Sequence, residues 1–122
     1  MILVDTSVWV DHLRSGLPAL VTCLERSEIA THSFVLGELA LGNMRQRGEV
    51  LGLIQALPSA MVAQDREVLE FIERRRLWGR CIGYIDAHLL SACHLSFGVR
   101  LWTRDKRLRS IAQEQGIAAA LE

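Results

Sequence analysis

The stretch that decides the fold is Met1-Ile2-Leu3-Val4-Asp5-Thr6-Ser7, in which an apolar run ends in a carboxylate and two hydroxyls. A short run with two β-branched residues predicts a strand that is buried on both faces, as in a parallel sheet. Asp5 would then lie where the strand leaves the sheet, the edge at which open α/β sheets bind ligands. Thr6 or Ser7 is expected to cap a helix over about 8–14. A lone Asp in this place is more often a cap or turn residue, so Asp5 gains interest only if other acids lie near it.

Strand-like and helical patterns alternate along the rest of the chain. Further strands are predicted at 28–31, 60–63 and 99–103, with an edge strand at 117–121. The helices predicted between them are at about 19–26, 34–42, 49–57, 65–77, 86–97 and 105–115, with Ser33, Asp65, Asp86 and Asp105 as candidate caps. This alternation predicts one three-layer α/β/α domain, residues 1–122, around a mainly parallel sheet of four or five strands. No glycine-rich phosphate-binding motif occurs, which disfavours dinucleotide and nucleoside triphosphate sites.

Charge is distributed unevenly, although fourteen acids and fourteen bases cancel. Residues 1–73 hold ten acids and five bases, a net charge of −5, whereas residues 74–122 hold nine bases and four acids, a net charge of +5. Lys106 is the only lysine, and the other bases are arginines, whose planar fork can donate two hydrogen bonds to one phosphate. A solvated helix surface with ion pairs is an equally good explanation.

Cysteine use and hydropathy indicate the compartment. Cys23, Cys81 and Cys93 are odd in number and form no C-x-x-C pair, which predicts reduced core residues in the cytoplasm. Asp5 interrupts the only apolar run near the start, so no signal peptide is predicted, and no run approaches the roughly 20 residues of a membrane span. Half of the residues are hydrophobic, which leaves apolar surface for a partner or a second copy.

Four acids are candidates for a shared site: Asp5, Glu38, Asp86 and Asp105. Asp86 and Asp105 could simply be helix caps. Glu38 is the only charge in the nearly apolar stretch 34–42, so it is expected to be buried and to need a cation or donors. Because parallel strands end at one edge of a sheet, acids at these points can meet there.

Grouped carboxylates predict a bound cation. Each pair at roughly 5 Å repels by about 3 kcal/mol with an effective dielectric constant of about 20. An all-oxygen ligand set selects Mg²⁺ or Mn²⁺ over zinc, and such an ion suits phosphodiester chemistry. Thr6, Ser7 and Thr103 could hold water or the carboxylates by hydrogen bonds. The four histidines show no metal-ligand spacing and are interpreted as structural or surface groups.

Four segments carry a family resemblance. They are Ile2-Leu3-Val4-Asp5-Thr6-Ser7-Val8-Trp9, Glu38-Leu39-Ala40-Leu41-Gly42, Ile85-Asp86-Ala87-His88-Leu89-Leu90-Ser91-Ala92 and Leu101-Trp102-Thr103-Arg104-Asp105-Lys106-Arg107-Leu108. With these segments in this order, the whole chain resembles the PIN-domain ribonucleases, and most closely the VapC toxins of bacterial and archaeal toxin–antitoxin pairs.

The resemblance implies an endoribonuclease that uses Mg²⁺, or Mn²⁺ as a substitute. Its catalytic and metal-binding acids would be Asp5, Glu38, Asp86 and Asp105, with Asp5 and Asp86 as the principal ligands. Thr6 and Thr103 correspond to supporting hydroxyl residues. Family members often carry a second polar or acidic residue just after the fourth acid, where this chain has Lys106-Arg107-Leu108.

The resemblance also implies partners. A VapB-like antitoxin would block the acidic site. The toxin would form a homodimer, which would join the antitoxin in a higher assembly. No membrane partner is implied. The basic residues expected to contact RNA phosphates are Arg104, Lys106, Arg107, Arg76 and Arg80.

Two alternatives remain at this point. A non-catalytic PIN-like module that binds RNA or protein would be expected to lack one or more acids, and this chain keeps all four. A phosphatase or phospho-receiver would use Asp5 as the acceptor. The phosphatase usually has a second Asp two residues on, where this chain has Ser7, and residues 1–4 lack the acidic pair of a receiver.

Overall fold

The apolar residues at the start of the chain form the central strand of a parallel sheet. The computed structural model describes residues 1–122, with the sheet order β2-β1-β3. β1 (Ile2–Val4) pairs in parallel with β2 (Ile29–Ala30) on one side and with β3 (Arg100–Trp102) on the other. Leu3 and Val4 are fully buried, as expected for a strand covered on both faces. The α/β class and the parallel sheet are therefore confirmed.

Seven helices connect and cover these strands. They are α1 (Thr6–Ser15), α2 (Pro18–Glu25), α3 (Ser33–Ala40), α4 (Arg47–Gln55), α5 (Asp65–Arg75), α6 (Tyr84–Leu95) and α7 (Lys106–Glu114). Each overlaps a helix predicted from the sequence. None of them has the length and apolar character needed to cross a membrane.

The predicted fourth and fifth strands are wrong. At each edge of the sheet there is only a single bridge: Thr31 bridges Ser59, just before the predicted strand 60–63, and Leu101 bridges Ala118, within the predicted strand 117–121. At the first bridge Thr31 N–H donates to Pro58 O at 2.8 Å, and Pro58 itself has no N–H with which to extend the ladder. The sheet therefore has three strands with one short bridge at each edge.

Several helices have N-cap residues other than those predicted. Thr6 and Ser7 lie in the first turn of α1 and Asp5 occupies the cap position, so neither hydroxyl is a cap. Ser33 is the first residue of α3, and the His32 ring caps it by accepting a hydrogen bond from Phe34 N–H at 3.0 Å. Gln64, rather than Asp65, caps α5. The early start of α1 leaves both of its hydroxyls free to bond side chains at the edge of the sheet.

The core is built around α6 and the sheet. Residues 87–93 of α6 are all buried, and Leu101 and Trp102 of β3 lie in the same hydrophobic cluster as Leu3. Cys23 and Cys93 are buried and free, as predicted, but Cys81 is exposed, which corrects its assignment to the core. Burial raises the pKa of the Cys93 thiol to about 12, so this thiol stays protonated.

The expectation that Glu38 is buried within the apolar stretch 34–42 is also wrong. The core side of α3 consists of Val35 and Leu39, which are 0% and 3% exposed. Gly37 and Glu38 lie on its solvent side. An apolar composition does not fix which face of a helix is covered, and here the covered stripe is narrow.

Candidate metal centre

The pairing of β1 with β3 brings the first acid beside a threonine. Because Val4 pairs with Trp102, the next residues, Asp5 and Thr103, leave the sheet side by side, and Asp5 N–H donates to Trp102 O at 2.9 Å. The Asp5 side chain is buried, with only 6% of the residue exposed. Thr103 Oγ1 donates to Asp5 Oδ2 at 2.7 Å, and Ser7 Oγ donates to the same oxygen at 2.8 Å. Asp5 Oδ1 has no donor within the protein and remains free for a ligand.

The backbone fixes the direction of these two hydrogen bonds. Arg104 N–H donates to Ser7 Oγ at 3.0 Å, and Asp105 N–H donates to Thr103 Oγ1 at 3.1 Å. Since each hydroxyl has one proton and already accepts from an amide, that proton is directed to the Asp5 carboxylate. The sequence left Ser7 either as a helix cap or as a partner of the carboxylates, and the structure makes it a partner of Asp5.

Glu38 joins the site through α1. Thr6 Oγ1 donates to Glu38 Oε1 at 2.8 Å, which links the first turn of α1 to α3. Glu38 is exposed, so the buried carboxylate expected from the sequence does not exist. Its charge is stabilised by water and by one hydroxyl, and it can adjust its position at little cost.

Asp86 is partly buried at the start of α6. It is the third residue of that helix rather than its cap, and its Oδ2 accepts a hydrogen bond from Gly83 N–H at 3.1 Å. Burial raises the pKa of Asp86, and the charges of Asp5, Asp105 and Glu38 raise it further, whereas the Gly83 hydrogen bond opposes them. The four acids predicted from the sequence therefore share one electrostatic field.

Asp105 caps α7 with one carboxylate oxygen and leaves the other free for a ligand. It is the cap of α7, and its Oδ1 accepts hydrogen bonds from Arg107 N–H at 2.9 Å and Leu108 N–H at 3.1 Å. The cap interpretation of this residue is correct. Its side chain is exposed, and Oδ2 has no donor within the protein.

The predicted RNA-contacting bases divide into two groups. Arg104 is ion-paired with Asp11 at 2.9 Å and with Glu122 at 3.3 Å. Arg80 is ion-paired with Glu114 at 2.9 Å. These guanidiniums are already occupied by carboxylates.

The remaining three predicted bases form no ion pair. Lys106 and Arg107 are exposed in the first turn of α7, directly after Asp105. Cations are unfavourable near the positive N-terminal end of a helix dipole, so neither the dipole nor an ion pair within the protein stabilises these two charges. Arg76 ends α5 in a left-handed conformation, with φ of 53°, and is also exposed.

Sequence reasoning missed a further arginine that supports the site. Arg109 donates from Nε and Nη2 to Thr103 O, at 3.3 and 3.1 Å, and its Nη2 is 3.6 Å from Glu122 Oε2. It thereby holds the backbone of the residue that orients Asp5. Nothing in the local sequence of α7 distinguishes this arginine from its neighbours.

The histidines have structural roles, as interpreted from the sequence. His12 Nδ1 accepts a hydrogen bond from Leu17 N–H at 3.0 Å, and His94 Nε2 bonds Gln115 Oε1 at 2.8 Å. Burial, with the nearby His88, lowers the pKa of His32 to about 4, so this ring stays neutral at pH 7. No histidine joins the acidic group.

The donor set fits a hard divalent cation. All four candidate ligands are carboxylates, and their mutual repulsion, seen at Asp86, is a cost that a cation would remove. No three His, Cys, Asp or Glu side chains are already close enough to enclose an ion. Asp5, held by two hydroxyls, and Asp86, held by Gly83, are the ordered pair, whereas Glu38 and Asp105 are the exposed pair.

Thr103→Val is expected to weaken divalent-metal binding and RNA cleavage about 10- to 100-fold, the usual effect of losing a partner of a metal ligand. Valine fills the same buried space but removes the donor to Asp5 and leaves Asp105 N–H without its acceptor. The measurement is the Mn²⁺ concentration that gives half-maximal RNA cleavage.

Thr22→Val is the matched control, because Thr22 bonds only Pro18 O on the exposed side of α2. Thr103→Ser should restore most of the metal affinity. Equal metal affinity in the Thr103→Val and Thr22→Val proteins would show that Thr103 does not orient Asp5.

The fold and the acidic edge of the sheet together define the class of protein. The sequence model of the PIN domain matches residues 2–114, and the chain belongs to the PIN domain family. It is 50% identical over 122 residues to the protein named Ribonuclease VapC32 in two Mycobacterium tuberculosis strains, CDC 1551 / Oshkosh and ATCC 25618 / H37Rv. The match covers 100% of this chain and 98% of each relative. The resemblance drawn from the four segments is thus confirmed.

Proposed function

We propose that this chain is the toxin of a type II toxin–antitoxin pair and hydrolyses RNA phosphodiester bonds with a divalent metal ion. The observation that carries the proposal is the arrangement of Asp5 at the end of β1, where Thr103 and Ser7 donate to one carboxylate oxygen at 2.7 and 2.8 Å and the other oxygen has no donor within the protein. Burial, and then the charges of Asp5, Asp105 and Glu38, raise the pKa of Asp86, which supports a shared acidic site. The name of the relatives, Ribonuclease VapC32, supports RNA as the substrate.

Asp5 and Asp86 are the proposed principal ligands, and Mg²⁺ is the proposed ion, with Mn²⁺ as its substitute. The bound ion would lower the pKa of a water molecule and polarise the phosphoryl oxygen. Glu38 and Asp105 would complete the acidic pocket and position water. Thr6 would orient Glu38, while Thr103 and Ser7 orient Asp5.

The bases at the start of α7 support the placement of RNA. Lys106 and Arg107 lie beside Asp105, and we assign them to phosphate contacts, together with Arg76. Arg104 and Arg80 could take part only by giving up their present ion pairs. By family analogy, in-line hydrolysis would leave 5′-phosphate and 3′-hydroxyl ends.

Incubation of the purified protein with labelled total RNA tests the proposal. Discrete cleavage fragments are expected with Mg²⁺ or Mn²⁺ and none with a chelator, because four carboxylates cannot gather around a phosphate without a cation. Cleavage that continues in the chelator would defeat the metal mechanism. RNA that binds but stays intact with either ion would favour a non-catalytic module.

Exposed apolar side chains support a protein partner. Leu41, Leu53, Trp78 and Phe97 are 91%, 66%, 60% and 107% exposed. We propose that a VapB-like antitoxin and a second copy of the chain cover part of this surface. Inducing the gene alone should arrest growth, and co-induction of the neighbouring antitoxin gene should relieve the arrest. Growth that continues when the toxin gene is induced alone would speak against the toxin role.

A further inference from the structure

A groove of about 270 Å³ opens from the acidic site along one side of α1. Thr6 and Glu38, which are hydrogen-bonded to each other, line it together with Arg14 and Arg45. Arg14 is in the last turn of α1, and Arg45 lies in the turn between α3 and α4. The groove therefore has carboxylate and guanidinium groups on the same surface.

The two arginines are available to a ligand. Arg14 and Arg45 are exposed and make no ion pair and no side-chain hydrogen bond within the protein. The neighbouring Arg47 differs, because its guanidinium donates to Ala40 O. Glu38 also lines this groove and pairs with neither arginine.

Four apolar side chains form much of the remaining groove wall, which Gly42 and Asn43 complete. The four are Val10, Leu13, Leu39 and Met44. On α1 the lining residues recur at positions 6, 10, 13 and 14, which is the spacing of one helical face. A continuous surface with apolar side chains and two cations suits a ligand that carries both flat apolar groups and anions.

We propose that this groove binds single-stranded RNA beside the cleavage point, with Arg14 and Arg45 on backbone phosphates. The subsite rests on the proposed function. Eight residues separate Thr6 from Arg14, about 12 Å along the helix. That length corresponds to three or four stacked nucleotides at about 3.4 Å each. A phosphate at the acidic end and another at the arginines can therefore belong to one short strand.

The chemistry favours RNA over an acidic peptide. Both would bring anions to the arginines, but nucleobases also bring apolar ring faces that Val10, Leu13 and Met44 can cover. At the acidic end of the groove, a peptide carboxylate would be repelled by Glu38, because no cation would bridge the two carboxylates. A phosphodiester is the group that a divalent ion joins to carboxylates.

The test measures binding of a fluorescent, mixed-sequence single-stranded RNA and, separately, the kinetics of its cleavage with Mn²⁺. Arg14→Ala and Arg45→Ala should each weaken binding about three- to tenfold and raise KM with little change in kcat. Each should also reduce the slope of log affinity against log salt by about 0.7, the value for one lost phosphate contact on a single strand. Arg14→Lys and Arg45→Lys should retain most of the affinity.

Arg26→Ala is the matched control. Arg26 is exposed, forms no ion pair and follows α2 at the opposite end of the strands from the acids. The proposed subsite would be overturned if Arg14→Ala and Arg45→Ala had the same RNA affinity and the same salt dependence as Arg26→Ala. Groove variants that bind RNA normally but lose affinity for an antitoxin would also overturn it.

The two proposals fail in different ways. A wild-type protein that does not cleave RNA would refute the proposed function, yet the binding measurement would still report on the groove. A wild-type protein that cleaves RNA while both arginine variants behave like the control would refute only the groove.

Discussion

Asp5→Asn is expected to lower metal-dependent RNA cleavage by at least about a hundredfold while the protein stays folded. Mutation of a residue that only hydrogen-bonds a metal ligand typically lowers metal affinity or activity about 10- to 100-fold, and Asp5 is a proposed ligand itself. Its Oδ2 accepts from Ser7 and Thr103, and the oxygen of asparagine can take both hydrogen bonds. The amide nitrogen then replaces Oδ1, so a donor faces the position where a cation needs a carboxylate oxygen.

Glu70→Gln is the control for this substitution. Glu70 is an exposed acid on α5 that forms no ion pair, and its loss changes the net charge by the same amount. Cleavage rates at saturating Mn²⁺ and circular dichroism melting curves of both variants provide the measurement. An Asp5→Asn protein that is folded and cleaves at more than a tenth of the wild-type rate would remove Asp5 from the metal site.

Asp86→Asn is expected to abolish cleavage and also to make the metal-free protein more stable. The raised pKa of Asp86 means that burial and three neighbouring carboxylates disfavour its charged form in the folded state. Asparagine has no charge, and its oxygen can still accept from Gly83 N–H. The melting temperature of the metal-free variant should therefore be higher than that of the metal-free wild type.

The pH dependence has a definite sign. A folded pKa above the unfolded value, 3.8, means that the folded state holds the proton more tightly, so wild-type stability decreases as pH rises from that value through the raised pKa. Asp86→Asn should melt at nearly the same temperature as the wild type in acid, where Asp86 is protonated. Its advantage over the wild type should be largest at neutral pH, where Asp86 is charged. Melting curves in a chelator across this range measure it.

Adding the metal should reverse the order of stability. An ion that binds only the folded wild type raises its melting temperature, whereas Asp86→Asn should respond weakly. A variant that melts below the wild type in chelator at neutral pH would show that Asp86 stabilises the fold, and that the four acids do not repel one another enough to require a cation.

The position of the acids could be predicted because it depends on local patterns. The apolar run before Asp5 and the one before Thr103 are short strands, and parallel strands end together. Asp86 and Asp105 both lie at a helix start. These features need only the order of strands and helices.

Burial and pairing could not be predicted in the same way. The apolar composition around Glu38 suggested a buried helix, but α3 covers only the face of Val35 and Leu39. Arg104 looked free for RNA, yet its partner Asp11 lies 93 residues earlier. Arg14 and Arg45 carried no signal, because a groove exists only when two helices are side by side.

The sequence by itself determined the central strand, the α/β alternation and four acids at one edge, since each follows from side-chain periodicity and chain direction. Only the tertiary structure decided which way the hydroxyls of Ser7 and Thr103 donate, which arginines are occupied and which face the groove. The bonds of Thr103 to Asp5 and of Arg104 to Asp11 join residues more than ninety positions apart, which the pairing of β1 with β3 makes neighbours. The groove depends on the packing of α1 beside α3 and the segment that follows it.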